Sequence, residues 1–397
     1  MHCTRKINDN LIWVGVNDRR VSLFEGINPL PKGMSYCSYL HLDEKTVLFD
    51  TVDKAVAERF MENVEYALNG RNLDYLVVLH AEPDHSATIS NILRQYPDVT
   101  LVLTQKCAEF IRQFYGLSDD VKLQIVGEND SLNTGSHNFK FIMAPMVHWP
   151  EVMVAYDEKS HTLFSADAFG AFGSLNGAIF ADEVDFMQDY KDEARRYYTN
   201  VVGKYGMQVQ NLLKKLAPLQ IDMICPLHSF VWRKDIDQIT ELYDKWSKYE
   251  PEEKGVIIAY GSIYGNTENA VDILAFSLRQ KGIKTEMFDI STTSVSEILS
   301  QSFKWSHLVF AAPTFNTALF PIMESVLSKV ALNNLQNRKV AFVENGSWGS
   351  TASKIMQQML EKCKNFEVLG SVNIKSGIKE ADVDNINALA QTLADTF

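Results

Sequence analysis

Two imidazoles and two carboxylates crowd into six residues at His80-Ala81-Glu82-Pro83-Asp84-His85. Neutral imidazole is a common metal ligand and carboxylates add hard anionic oxygens, so these residue types at this spacing point to a metal centre. The segment follows Leu73-Asp74-Tyr75-Leu76-Val77-Val78-Leu79, an apolar run with the length and β-branched content of a buried strand. Side chains alternate across a strand, so donors gathered at its mouth need a turn to converge, and Pro83 helps to set one. His80, Glu82 and Asp84 then face one way while His85 serves a neighbouring point, which leaves room for two metal ions.

Three further candidates stand in the same kind of place. His148 lies beyond the strand-like Phe139–Ala144, Asp167 beyond Thr162–Ala166, and His228 ends Ile221-Asp222-Met223-Ile224-Cys225-Pro226-Leu227. Each follows a run that reads as a strand. Asp50, at the end of Thr46–Phe49, is a candidate to orient a ligating histidine from behind. His2, His41, His137, His161 and His307 have no such context and read as structural or surface residues.

A second constellation lies downstream. Gly261-Ser262-Ile263-Tyr264-Gly265-Asn266-Thr267 joins a strand, Val256–Tyr260, to a helix beginning at Thr267. Backbone N–H groups and hydroxyls in such a loop surround a phosphate at the positive helix end. The lysine of a P-loop is missing, and the glycine spacing is not the dinucleotide pattern. A hydroxyl-rich loop without cationic residues suits a phosphomonoester, in the way flavodoxins hold FMN. Pro313-Thr314-Phe315-Asn316-Thr317 and Glu344-Asn345-Gly346-Ser347-Trp348-Gly349 also follow strands, at the edge where doubly wound sheets bind ligands. Candidate FMN contacts are thus Ser262, Ile263, Tyr264, Gly265, Asn266, Thr267, Pro313, Thr314, Phe315, Asn316, Asn345, Gly346, Ser347 and Trp348. Phe315 and Trp348 are candidates to pack on the isoalloxazine.

The elements that must position these groups fall into two patterns. Residues 11–50 read as short antiparallel strands, with Asp43-Glu44-Lys45 as a tight connection. Helical spacing follows over Lys54–Leu68, with further helices at Ser86–Leu93 and Cys107–Tyr115 and one long helical region over 189–216. The charged, proline-containing Tyr249-Glu250-Pro251-Glu252-Glu253-Lys254 marks a break, which divides the chain into domains 1–250 and 251–397. Beyond it, five strands alternate with helices, the pattern of a parallel sheet covered on both faces.

Composition bounds the function. A chain of 397 residues exceeds the size at which one core keeps growing. Hydrophobic content of 46% with 22% charged residues is that of a globular protein. A net charge of -12 and a pI near 5.3 argue against nucleic acid or an anionic membrane surface as partner. The first residues lack the apolar core of a signal peptide and no run is long enough to span a bilayer, so a cytoplasmic protein is expected. Five scattered cysteines suit a reducing compartment, and without a Cys-x-x-Cys pair no built-in rubredoxin-type iron or ferredoxin-type cluster is expected.

Taken together, these residues resemble the flavodiiron proteins, also called A-type flavoproteins, over essentially the whole chain. The family motif, His-x-Glu-x-Asp-His with distant His, Asp and His, is matched by His80, Glu82, Asp84, His85, His148, Asp167 and His228. The resemblance implies an α/β protein with an N-terminal metallo-β-lactamase-like αββα sandwich and a C-terminal flavodoxin-like doubly wound five-stranded parallel sheet. This is the minimal two-domain class without a fused rubredoxin. It further implies one iron held by His80, Glu82 and His148, a second by Asp84, His85 and His228, and Asp167 bridging. Hydrolases of the same superfamily usually carry histidine where Glu82 stands, so the hard oxygen favours iron over zinc. The implied activity is reduction of dioxygen to water or of nitric oxide to nitrous oxide. The implied cofactors are two non-haem irons and FMN, the donor an external rubredoxin or a reduced deazaflavin, and the assembly a head-to-tail homodimer or a dimer of dimers. Two other readings of the same residues are a binuclear zinc hydrolase with an attached flavodoxin domain and a non-enzymatic electron-transfer or redox-sensing flavoprotein.

Overall fold

Short strands rich in Val, Leu and Phe build two sheets in the first half of the chain, and longer apolar runs build one in the second. The computed structural model describes residues 2–397 and falls into two units. One holds the residues up to Tyr198 with Met207–Asp244; the other holds Thr199–Gly206 with Lys245–Phe397. The break read from the sequence follows Glu250, whereas residues 199–206 and 245–250 go here with the second unit.

In the first unit, spatial order follows chain order. Seven strands run Arg5–Lys6, Leu11–Trp13, Tyr39–Leu42, Thr46–Phe49, Tyr75–Val77, Thr100–Leu103 and Leu123–Ile125. Pairing is antiparallel as far as Thr46–Phe49 and parallel from there on. A five-stranded sheet follows, Ser131–Asn133, Asn138–Met143, Met153–Asp157, Thr162–Phe164 and Met223–Cys225, whose last pair alone is parallel. The two sheets meet face to face: Phe49 stacks on Phe164 with ring centroids 3.9 Å apart and meets Phe139 edge-on at 5.1 Å. Helix Ala57–Leu68 buries Phe60, Val64 and Ala67. This is the αββα sandwich expected.

One local expectation is corrected. The strand before the metal motif is shorter than read, Tyr75–Val77, and Asp84 and His85 lie not beyond a strand but on a short helix, Pro83–Ser86. Pro83 at the first helical position presets φ for that turn. Thr88, which donates to Val52 O, then separates it from Ile89–Gln95. The long helical region expected over 189–216 is present from Lys191 to Leu216, with a change of pitch inside it: Lys191–Tyr197 and Gly206–Leu216 are α-helical, Tyr198–Val202 is π-helical and Gly203–Tyr205 is a 3-10 turn. A Cβ on Gly206 would stand 2.3 Å from Ser247 O, so the chain passes there only without a side chain.

In the second unit the parallel strands are ordered Thr285–Asp289, Glu253–Tyr260, Trp305–Phe315, Lys339–Asn345 and Glu367–Ile374, with Ala318–Leu319 folded back antiparallel on the third. Numbered within this unit the order is 2-1-3-4-5, the flavodoxin-like winding. Val256–Ala259, Leu308–Ala312 and Val340–Val343 are buried throughout. Helices Asn266–Gln280 and Glu380–Ala394 pack together over this sheet through Val271, Leu274, Ile386 and Leu389.

Candidate metal centre and flavin cavity

The seven ligand candidates are brought together. His80 and Glu82 leave the end of Tyr75–Val77, Asp84 and His85 ride on the following short helix, and His148, Asp167 and His228 come from loops of the other sheet. They form two groups, His80 with Glu82, His148 and Asp167, and Asp84 with His85 and His228. Asp167 belongs to both in space. Its Oδ2 lies 3.1 Å from His148 Nε2 and 3.7 Å from His80 Nε2, while its Oδ1 lies 3.0 Å from His85 Nε2 and 3.8 Å from His228 Nε2. Glu82 Oε2 completes the first group at 3.0 Å from His148 Nε2 and 3.2 Å from His80 Nε2. Asp84 Oδ2 completes the second at 3.3 Å from both His85 and His228.

The rings are aimed from behind. His80 Nδ1–H donates to Glu151 Oε1 at 2.8 Å, and His228 Nδ1–H donates to Ser35 O at 2.8 Å, so in each the Nε2 lone pair faces inward. The sequence reading missed Glu151, whose one signal is its place three residues after His148. Asp50 works differently from expectation: its Oδ1 accepts from the backbone N–H of Leu79 and His80, fixing the chain rather than a ring.

Electrostatically the site calls for positive charge. Burial alone would lower the His80 imidazole, but Glu151, Glu82 and Asp167 outweigh it and hold it well above its ordinary value. Burial likewise opposes charging of His148, yet Asp167 and Glu82 raise it to about 9. Burial would raise Asp167, but His85 and His148 hold it well below the carboxylate range, and His148 and His80 do the same for Glu82. Among the described residues, the four oxygens of Asp84 and Asp167 accept no hydrogen bond of proper geometry although they are buried, and the Nε2 atoms of His85 and His228 stand 3.0 Å apart. Acceptors so crowded, with no Lys or Arg among them, fit two cations held by hard oxygen and imidazole donors.

In the second unit a cavity of about 360 Å³ opens where the sheet's winding reverses. It is lined by Ser262, Ile263, Tyr264, Asn266, Thr267, Pro313, Thr314, Asn345, Gly346, Ser347 and Trp348 of the expected contacts. Gly265, Phe315 and Asn316 lie in the same loops but do not line it; Thr317, Gly349 and Ser376 do. Ser376 was missed, and its signal is a place just past the fifth strand. Ser262 Oγ accepts from Gly265 N at 3.1 Å and Glu268 N at 3.4 Å, and Gly265 takes φ +84° to start helix Asn266–Gln280. Tyr264 and Trp348 stand 90% and 87% exposed at the cavity. Large aromatics left this open beside a hydroxyl-lined helix start fit a planar ring with a phosphate tail.

Comparison with known proteins agrees with this fold. Residues 34–229 match the family model described as ODP family beta lactamase. The nitric oxide reductase of Moorella thermoacetica is 31% identical over 90% of both chains. Among solved structures, rubredoxin oxygen:oxidoreductase from Desulfovibrio gigas superposes with TM-score 0.94 at 25% identity, over 99% of this chain and 98% of that one. A mutant flavo di-iron protein from Thermotoga maritima superposes with TM-score 0.90 at 25% identity, over 98% of each chain. Fold and site thus define an oxidoreductase that joins a metallo-β-lactamase-like sandwich to a flavodoxin-like unit. More narrowly, the chain belongs to the flavodiiron protein family. Among the described residues, no helix is long and apolar enough to cross a membrane.

Proposed function

We propose that the chain reduces dioxygen to water, nitric oxide to nitrous oxide, or both, at two non-haem irons, with FMN relaying electrons from an external donor. His80, Glu82 and His148 would hold one iron, Asp84, His85 and His228 the other, and Asp167 would bridge them. The observation that carries this reading is the orientation of Asp167, whose two oxygens face different donor groups. When bound, two adjacent ferrous ions would polarise a diatomic and supply one electron each, with reduced FMN and the external donor making up the total of four electrons and four protons per dioxygen or two and two per pair of nitric oxide molecules. The chain's own part is positional. Glu151 and Ser35 O aim the imidazoles, Asp50 holds the backbone of the metal loop, and burial of all seven donors keeps bulk water out.

Ser262, Asn266 and Thr267 would receive the FMN phosphate, and Tyr264 and Trp348 would flank the ring system. A domain division near Glu250 suits these two roles. The D. gigas structure's name points to rubredoxin as donor, with a reduced deazaflavin as the other candidate. The exposure of Tyr264 and Trp348 supports a head-to-tail homodimer in which a second copy covers the flavin edge. Free cysteines at all five positions suit a cytoplasmic setting.

The test is anaerobic steady-state turnover of the iron- and FMN-loaded protein with an artificial reductant, giving each gas in turn. Consumption of at least one gas is expected. Absence of turnover with both, or hydrolytic activity from a zinc-loaded site, would overturn the reading.

A further inference from the structure

Among the described residues, one buried group besides the seven donors above has metal-binding chemistry. Ligand atoms of His41, His137 and Asp157 all lie within 4.8 Å of one another, and all three side chains are buried. His41 stands on Tyr39–Leu42 of the seven-stranded sheet, whereas His137 precedes Asn138–Met143 and Asp157 closes Met153–Asp157 in the five-stranded sheet. The group therefore bridges the two sheets. It sits at the end of the sandwich opposite the seven donors, because His148 follows the far end of the strand that His137 begins.

Among the described residues, neither ring nitrogen of His41 has a hydrogen-bond partner, although the residue is only 2% exposed. Buried polar atoms are rarely left this way. Its ring lies edge-on to His137 with centroids 4.4 Å apart, and Phe139 closes the other side at 5.0 Å. The other two donors are built in place. Asp43 Oδ2 accepts from His137 N at 3.0 Å, Ser136 N at 2.8 Å and Thr134 Oγ1 at 2.9 Å, which locks the turn presenting His137. Asp157 Oδ2 lies 2.7 Å from His137 Nδ1 and accepts from Ser160 Oγ, and its Oδ1 accepts from Lys159 N at 3.1 Å. Burial, and after it the adjacent His137, pushes the His41 imidazole down to about 4, so its lone pair is free at neutral pH.

We propose that His41, His137 and Asp157 form a mononuclear site for a divalent ion of borderline softness such as zinc, clamping the two sheets together. Two imidazole nitrogens and one carboxylate make a three-ligand set whose fourth position water can fill. The sequence reading took both histidines as structural or surface residues, because the donors lie 96 and 20 residues apart and meet only once the sheets are stacked.

The test dialyses the iron- and FMN-loaded protein against zinc and counts zinc, iron and FMN per chain, beside His41→Phe. The wild type is expected to hold one zinc more than the variant with iron and FMN unchanged, and to show a zinc-dependent rise in Tm that the variant lacks. Equal zinc in both proteins, no zinc in the wild type, or zinc gained only as iron is lost would overturn the site. If His41→Phe fails to fold, Asp157→Asn decides by the same counts. The outcome is independent of reductase turnover, which the seven other donors govern.

Discussion

Glu151 Oε1 lies 2.8 Å from Nδ1 of His80 and fixes the tautomer that presents Nε2 to the metal side. The same oxygen accepts from Ala81 N at 2.9 Å, so one buried carboxylate sets both the ring and the loop. Carboxylates that support a ligating imidazole in this way are typically worth about 10- to 100-fold in metal affinity. Glu151→Ala is expected to release iron to a chelator roughly 10- to 100-fold more readily. Glu151→Gln should recover much of the loss, because its amide oxygen still accepts both bonds. An alanine variant as resistant to chelation as the wild type would remove Glu151 from this role.

His228 is the ligand candidate most distant in sequence from the motif, and Ser35 O holds its Nδ1–H. Its Nε2 faces Asp84 Oδ2 at 3.3 Å, within the second donor group only at close range. His228→Ala should therefore lower iron from two toward one per chain and lower gas reduction by roughly tenfold or more, with FMN content unchanged. Iron analysis and flavin absorbance on the same sample check this, and full activity with two irons would exclude His228 as a ligand.

What the sequence disclosed about this site, and what it concealed, has a physical pattern. The donors from His80 to His85 are legible because four of them share six residues, and the flavin loops because each interrupts a βα alternation. Glu151 is opaque because it acts through a bond to a residue 71 positions away, and a lone carboxylate has no spacing to betray it. The helical region over 189–216 is legible because its apolar spacing persists along it. The change of pitch over 198–205, π-helical and then 3-10 between Lys191–Tyr197 and Gly206–Leu216, leaves no mark in that spacing. Pro83 was read correctly as a turn-setter, but the turn it starts is helical, since proline's fixed φ suits a first helical position as well as a loop.

Thr267 lies in the first turn of Asn266–Gln280, lines the candidate flavin cavity and is only 2% exposed. A helix start favours an anion beside it, so a carboxylate placed there competes with the phosphate for the same N–H groups. Thr267→Glu is expected to emerge from purification without flavin absorbance while keeping its iron. Because the residue is buried, Ser262→Glu in the same loop serves as the companion variant. Unaltered flavin content in both would overturn the phosphate-loop assignment.

His307 provides a pH-dependent test of the second unit. Its ring is buried between Ser306 Oγ, 2.8 Å from Nδ1, and Thr396 Oγ1, 2.9 Å from Nε2, and it stacks on Phe397 with centroids 4.0 Å apart. Burial, and then the charge of Lys339, pushes its imidazole down from 6.5 to about 4. Between those values the unfolded chain binds a proton that the folded chain refuses, so folding stability is complete above about 6.5, declines as pH falls toward 4 and levels off below it. After allowance for solvent screening the decline should amount to roughly 1–2 kcal/mol. His307→Gln cannot take up that proton, and urea midpoints measured across this window should fall less steeply for the variant than for the wild type. Carboxylates and metal ligands titrate alike in both proteins, so the difference between the two curves isolates this one ring; parallel curves would show that His307 titrates normally in the folded chain.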